Sequence, residues 1–338
     1  MSNDANVLWS VYNVDYNLNE LFFEIVDTEN MGNILVRSPQ FLTASSTSPA
    51  MLSATLELSI DSNLEYTIVK NAIDNKVIFD ISELIRDFFT HSITQTNKAN
   101  TLSISADITK HEGKNGTGSQ IGSVDSTAYT AYDGYGKFSE GVNPTISTSD
   151  TVIQSNTKLY FPENTAGYIC VNYGDNGVDF GATDTSITVL GTTYEIERVC
   201  DPIYDDIKVT FINKFGCLQE LWFFHKSIQS VEINSEDYKA NIFNFTNVNY
   251  NVNDHQTKTL HVNGKEKIKL NTHLVDDGYN EVLEQLLLTE YAWMTINSIN
   301  YPIKPITKSF TRKTSKNDKI AQYTLDFEFA NQYINNVR

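Results

Sequence analysis

From Leu52 to Ile60 every second residue is apolar, and Ser53, Thr55, Glu57 and Ser59 stand between them. The same alternation recurs at Leu102, Ile104, Ala106 and Ile108, and again at Tyr323, Leu325, Phe327 and Phe329. A period of two sets one face of a strand against a core and the other toward solvent, as antiparallel sheets do. Less regular runs of β-branched and aromatic residues predict further strands over 21–26, 66–70, 187–190, 207–212, 221–225, 241–245, 259–262 and 292–296. The alternating β/α units of a doubly wound fold are absent.

Two stretches switch to a helical period. Over 81–90, Ile81, Leu84, Ile85, Phe88 and Phe89 share a face opposite Glu83, Arg86 and Asp87, and Asp80 with Glu83 three residues on has the capping-box arrangement. Over 279–289, introduced by Asp276-Asp277-Gly278, the residues Val282, Leu283, Leu286 and Leu287 form a stripe suited to covering a sheet. Residues 111–156 differ in kind, being rich in Gly, Ser, Thr, Asn and Tyr and poor in branched aliphatics. Long loops are uncommon inside compact domains unless they bind something or order on assembly. The segment therefore reads as an extended arm or insertion, with a bare flexible loop as the alternative. The expected fold is mainly β: two antiparallel β-sandwich-like domains, 1–110 and 157–338, each with one packed helix, separated by 111–156. Deleting residues 113–143 is then expected to leave both domains folded and to weaken self-association.

Composition narrows the function. The chain has 338 residues, 40% hydrophobic, 12% aromatic and 20% charged, with a net charge of −17. That length suits two cores or one large all-β domain, and the aromatic content argues against global disorder. No 18-residue apolar run is present, and the first residues lack the basic and apolar regions of a secretory signal, so synthesis in a cytosol without membrane insertion is expected. Strong acidity makes nucleic acid or an anionic membrane a poor target.

Cys170, Cys200 and Cys217 are too few and too scattered for a disulfide framework. No nucleophile elbow, phosphate loop or zinc-helix motif occurs. His255, His261 and His273 fall within twenty residues, yet no Cys or carboxylate is placed to complete a metal set. The acidic turn Asp175-Asn176-Gly177-Val178-Asp179, with Asp184 beyond it, lacks EF-hand spacing and reads equally as ordinary turn chemistry. Lys304, Lys308, Arg312, Lys313, Lys316 and Lys319 form a local basic reversal, suited either to an acidic patch on a neighbour or to a solvated edge hairpin. No catalytic residue, metal or cofactor is expected, and the chain reads as a non-enzyme.

Several stretches carry a resemblance. Phe79-Asp80-Ile81-Ser82-Glu83-Leu84-Ile85-Arg86-Asp87-Phe88 is similar to a strand-to-helix segment in virion proteins of tailed bacteriophages infecting Bacteroidota. Asp133-Gly134-Tyr135-Gly136-Lys137-Phe138-Ser139-Glu140-Gly141-Val142-Asn143 resembles the D-G-Y-G-x-F-x-E-G-x-N stretch of the same proteins. Phe211-Ile212-Asn213-Lys214-Phe215-Gly216 with Trp222-Phe223-Phe224, and the ending from Tyr323 to Arg338, resemble them too.

The resemblance implies a structural part of the tail, neck or baseplate, found in the virion and in host cytoplasm during assembly. Its partners would be identical subunits in a ring and other tail or neck proteins, with no sequence-specific contact to nucleic acid. A ring needs a heterologous contact, and an arm that orders on the next copy would suit it. On this reading Tyr132, Tyr135 and Phe138 are intersubunit contacts, while Gly134, Gly136 and Gly141 serve the backbone. The alternative is a peripheral receptor- or glycan-binding virion protein, although repeated shaft sequence is absent. A polysaccharide-degrading enzyme is the third reading, with no carboxylate pair that singles itself out.

Overall fold

A computed structural model of the chain describes residues 32–95, 98–146, 153, 157–170, 177–200, 203–312 and 320–333. The strand expected over 21–26 lies outside them. The described fold is mainly β, in two halves.

The first half contains β1 (Asn33–Leu35), β2 (Phe41–Ser45), β3 (Ser53–Ile60), β4 (Asn63–Asn71), β5 (Lys76–Asp80), the short helix α1 (Ser82–Arg86), β6 (Thr101–His111) and β7 (Asp125–Tyr132). A five-stranded sheet runs β1-β7-β6-β3-β4, and β2 with β5 forms a separate antiparallel pair. The alternation seen in sequence becomes burial here: Ala54, Leu56, Leu58 and Ile60 of β3 and Leu102, Ile104, Ala106 and Ile108 of β6 point inward. They meet Leu42, Ala44, Val77 and Phe79 of the β2–β5 pair in one core. Each fully buried aliphatic there is worth about 1.5–3 kcal/mol over exposure.

Two expectations are corrected in this half. The helix expected over 81–90 is a five-residue turn of helix, Ser82–Arg86, and Asp80 does not cap it. Asp80 ends β5, and its Oδ1 accepts hydrogen bonds from the Ser82 amide at 3.0 Å and the Ser82 hydroxyl at 2.5 Å. Past Arg86 the chain tightens into i→i−3 bonds, Phe88 to Ile85 and Phe89 to Arg86, and turns away.

The second correction concerns 111–156. Within it, β7 pairs antiparallel with β6 and parallel with β1, so this stretch supplies an interior strand of the first sheet, not a detached arm. Its inward positions include Thr127, Tyr129 and Ala131, and Ala128, Thr130 and Tyr132 alternate with them, so the same residue types fall on both faces and no apolar–polar alternation registers.

In the second half, β8 (Leu159–Pro162), β11 (Ser186–Val189) and β12 (Thr192–Val199) form a three-stranded sheet, with β9 (Gly167–Cys170) and β10 (Gly177–Phe180) paired beside it. The β8–β12 pair is parallel, as is β1–β7, so the sheets are not purely antiparallel. The main sheet has seven strands, from β13 (Ile207–Ile212), β14 (Leu218–Phe223), β15 (His225–Lys239), β18 (Thr257–Asn271), β20 (Ala292–Ile296), β21 (Ile299–Pro305) and β23 (Thr324–Phe329). Their order is β14-β13-β20-β21-β23-β18-β15. Small pairs β16 (Phe243–Asn244) with β17 (Asn249–Tyr250), and β19 (Val275–Asp276) with β22 (Ile320–Ala321), complete it.

Helix α2 (Tyr279–Leu288) falls where the stripe predicts it. Val282, Leu283 and Leu286 are buried against the second core with Phe211, Phe223 and Leu270, while Leu287 is only partly buried. Leu35, Tyr132, Ile146 and Ile153 join that same core, so the halves share apolar packing.

Candidate functional site

Because β1 and β7 run parallel and side by side, the residues that follow them leave the sheet together. Arg37 and Asp133 are therefore neighbours although 96 positions separate them. The guanidinium grips the carboxylate with both prongs, Nε to Oδ1 at 2.7 Å and Nη2 to Oδ2 at 2.8 Å. His91 Nε2 lies 2.6 Å from the same Oδ2. The side chains of Arg37 and Asp133 are only 8% and 4% exposed, and that of His91 is fully covered. Its ring packs on Phe89 and Tyr291.

Burial alone would raise the Asp133 carboxyl, but the hydrogen bonds from Arg37 and His91 and their charge outweigh it and hold it well below the usual carboxylate range. Burial likewise works to lower the Arg37 guanidinium, and the bond to Asp133 pushes it up instead. Asp133 is thus an anion at neutral pH, committed to two partners. Such a cluster fixes geometry. Beside it a cleft of about 470 Å³ is lined by Glu83, Arg86, Asp87, Phe89, Asp133, Glu290 and Tyr291, and Arg86 bonds to Glu290 across the halves.

The segment after Asp133 is the seam between the halves. The Tyr135 amide donates to the Lys214 carbonyl at 2.9 Å, and the Gly134 carbonyl accepts from the Arg37 amide at 2.8 Å. A Cβ on Gly134 would lie 2.3 Å from the Lys214 carbonyl oxygen, and one on Gly216 would lie 2.9 Å from the Asp133 amide nitrogen. Gly216 also has φ +78°, which L side chains rarely adopt. The two glycine-bearing motifs of the sequence, 133–143 and 211–216, therefore touch each other backbone to backbone.

Asn213 Oδ1 holds that turn by accepting from the Phe215 and Cys217 amides, and Gln285 of α2 accepts from the Lys214 amide. Lys214 Nζ bonds Glu140 at 2.9 Å. Asn143 spans the backbone of Phe41 with both ends of its amide.

Of the six residues singled out in sequence, Tyr132 and Gly134 are buried within this chain, and Tyr135 and Gly136 are half-buried in the seam. Burial, then the nearby Glu284 charge, pushes the Tyr135 hydroxyl up to about 12. Gly141, at φ +79°, ends the short 3-10 turn Phe138–Glu140. Phe138 alone projects, 99% exposed.

A second feature carried no motif. β15 and β18 are fifteen residues each: the run 221–225 falls mainly on β14 and only touches the start of β15, 259–262 covers a small part of β18, and 241–245 shrinks to β16. Only Lys267–Asn271 of β18 pairs with β23. Beyond that base, apart from the Tyr333 amide donating to the Gly264 carbonyl at 3.2 Å, the ribbon is two strands wide among the described residues, from Val231↔Glu266 to Lys239↔Thr257, about 30 Å at 3.4 Å per residue. Ile233, Tyr238, Leu260 and Val262 on the strands and Phe245, Val248 and Val252 at the tip are all exposed. Between Val231 and Lys265 the charges nearly cancel, with Glu232, Glu236, Asp237 and Asp254 against Lys239, Lys258 and Lys265.

The remaining candidates disperse. His255 and His261 lie on this ribbon, whereas His273 sits beyond its base with Tyr160, Phe224 and His225. Among the described residues no group of three or more His, Cys, Asp or Glu is placed to hold a metal ion. Asp175 and Asn176 lie outside the described residues, and Asp184 accepts from the Gly181 amide in a turn. Of the basic cluster, Arg312 pairs with Glu284, and Lys313, Lys316 and Lys319 lie outside the described residues. Cys170 and Cys217 are buried with Ala99, and Cys200 is exposed. Among the described residues no helix is long and apolar enough to cross a membrane. Comparison with protein-family models, with curated proteins and with solved structures gives no match.

Proposed function

We propose that this chain is a structural subunit of a tailed-phage virion, a ring-forming component of the tail, neck or baseplate that works through contacts between copies. The observation that carries the reading is the exposed ribbon β15–β18. A two-stranded ribbon standing alone is marginal in water, and one bearing apolar side chains over about 30 Å needs something to lie against. The rigid seam fits the same purpose, since a subunit that is to repeat around an axis must hold its two halves in one fixed relation. The sequence resemblance supplies the virion as the setting.

A second reading has its own observation. The ribbon tip alternates Phe243, Phe245 and Tyr250 with Asn241, Asn244, Asn247 and Asn249, aromatic faces beside amides, which is a composition suited to sugars. Microscopy of particles carrying this chain separates the two: a ring on the particle axis is the expected result, and a peripheral projection together with glycan binding by the isolated protein overturns it in favour of the second reading.

A further inference from the structure

The β15–β18 ribbon ends in a tip with a composition of its own. From Ala240 to Asn253 no residue is charged, on a chain that is 20% charged overall. Phe243, Phe245, Val248, Tyr250 and Val252 are all exposed there, Phe245 at 75% and Val248 at 76%. Phe243 pairs with Tyr250 across β16–β17, and its ring meets that of Phe245 edge to face at 5.0 Å between centroids.

The polar groups of the tip are turned back onto its own backbone. Asn241 Oδ1 accepts from the Phe243 amide at 3.0 Å, and Asn251 Oδ1 from the Asn253 amide at 3.1 Å. Asn244 Oδ1 accepts from the Thr246 and Asn247 amides at 2.9 and 3.3 Å. The Ala240 amide donates to the Gln256 carbonyl and the Asp254 amide to the Asn251 carbonyl. Unpaired donors would bar such turns from an apolar environment; paired ones admit them to its boundary, though not to a hydrocarbon centre.

Charge narrows the occupant. At the root of the tip Asp237 and Asp254 stand against Lys239 and Lys258, a balanced set that matches a zwitterionic surface and has no net attraction for an anionic one. The chain's net charge of −17 is no obstacle, because about 30 Å of ribbon is several times the ~8 Å over which charge is screened at physiological salt. A shaped protein pocket orients its guest by charge or by outward hydrogen-bonding groups, and a sugar site needs the second of these. This tip has no charge and commits asparagine oxygens to itself. A lipid surface asks only for apolar side chains, with aromatic rings at the boundary.

We propose that the ribbon tip seats in the headgroup–acyl boundary of a neutral, zwitterionic lipid surface, inserting Phe243, Phe245, Val248, Tyr250 and Val252 to a depth of about 5–10 Å. This is contact with a surface, not a span. It goes beyond the assembly reading and does not rest on it, since the shaft below Lys239 stays available to neighbouring copies.

The test is flotation of the full chain with protein-free phosphatidylcholine vesicles at millimolar lipid. Wild type is expected to float with them at low and high salt alike, and no better when part of the lipid is phosphatidylserine. Phe245→Asp combined with Val248→Asp is expected to lower the partition coefficient by about tenfold or more. Its melting temperature should not change, because both side chains are already exposed, and Phe245→Leu should keep floating. Wild type that stays at the bottom of the gradient overturns the proposal. So does flotation that survives the double substitution or appears only with phosphatidylserine. Binding to a free oligosaccharide without flotation, lost in the double variant, gives the tip to sugars instead. Binding to whole membranes that protease treatment destroys, again without flotation, gives it to a protein pocket; either result overturns the lipid seat. Ring assembly is read separately by particle microscopy, and its failure would leave the flotation result standing.

Discussion

Replacing Asp133 by Ala strips the covered Arg37 guanidinium and the covered His91 ring of their common partner. Arg37 and His91 keep their burial, 8% and fully covered, but lose the bonds at 2.7, 2.8 and 2.6 Å that offset it. Removing one partner of a buried ion pair costs about 3–5 kcal/mol, far above the ~0–1 kcal/mol of an exposed pair. At about 2–4 °C per kcal/mol for a chain of this order of size, Asp133→Ala should melt about 6–20 °C lower. Urea denaturation read by tryptophan fluorescence gives the free energy directly.

Asp133→Asn keeps the shape and isolates the charge. The Asp133 carboxyl is depressed in the folded protein, so its stabilisation is present above the unfolded value near 3.9 and is lost as pH falls below it toward the folded value. The gap between wild type and Asp133→Asn should close steadily from about pH 4 downward. A gap below about 1 kcal/mol at neutral pH, or one that does not narrow in acid, would refute the account of a buried, charge-specific clasp.

Deleting residues 113–143 should abolish cooperative unfolding, because it removes β7 from between β1 and β6 together with Asp133 and the seam; two intact transitions by calorimetry would show the halves to be independent after all. Leu286→Ala should cost about 2–5 kcal/mol in chemical denaturation, since that side chain is fully buried, and partly buried Leu287→Ala clearly less; equal costs would mean α2 is rotated from its described face. Gly134→Ala should cost about 1–3 kcal/mol, because its Cβ would lie 2.3 Å from the Lys214 carbonyl oxygen and force the halves apart; a neutral substitution would show that the seam can yield.

The strands that sequence patterning announced are those with one buried face. β3 and β6 set alternating apolar residues against mostly polar ones, and burial largely follows that alternation. β7 escaped because Tyr, Ala and Thr stand on both of its faces, Thr127, Tyr129 and Ala131 inward with Ala128, Thr130 and Tyr132 between and after them. The length of β15 and β18 escaped for the opposite reason. Alternation reports which face is buried, and a ribbon with neither face buried has none to report. The Arg37–Asp133–His91 cluster lies across separations of 96 and 42 residues, so no local spacing could have joined its members.

The motifs with recognisable spelling turn out to serve the chain's own interior. Gly134 and Gly216 are glycines because two backbones approach too closely for a Cβ, Asn213 closes a turn, and Asn143 clamps Phe41. Each is a position where one residue type satisfies a geometry that few others can, and such constraints leave short, legible words in a sequence. A surface that meets a neighbour is built differently. Where two sheet edges pair, the bonds are made by backbone groups that every residue has, and side chains set little beyond register and sign of charge. A contact of that kind can be read only from unpaired edges and exposed apolar side chains, once the fold has shown which strands lie outermost.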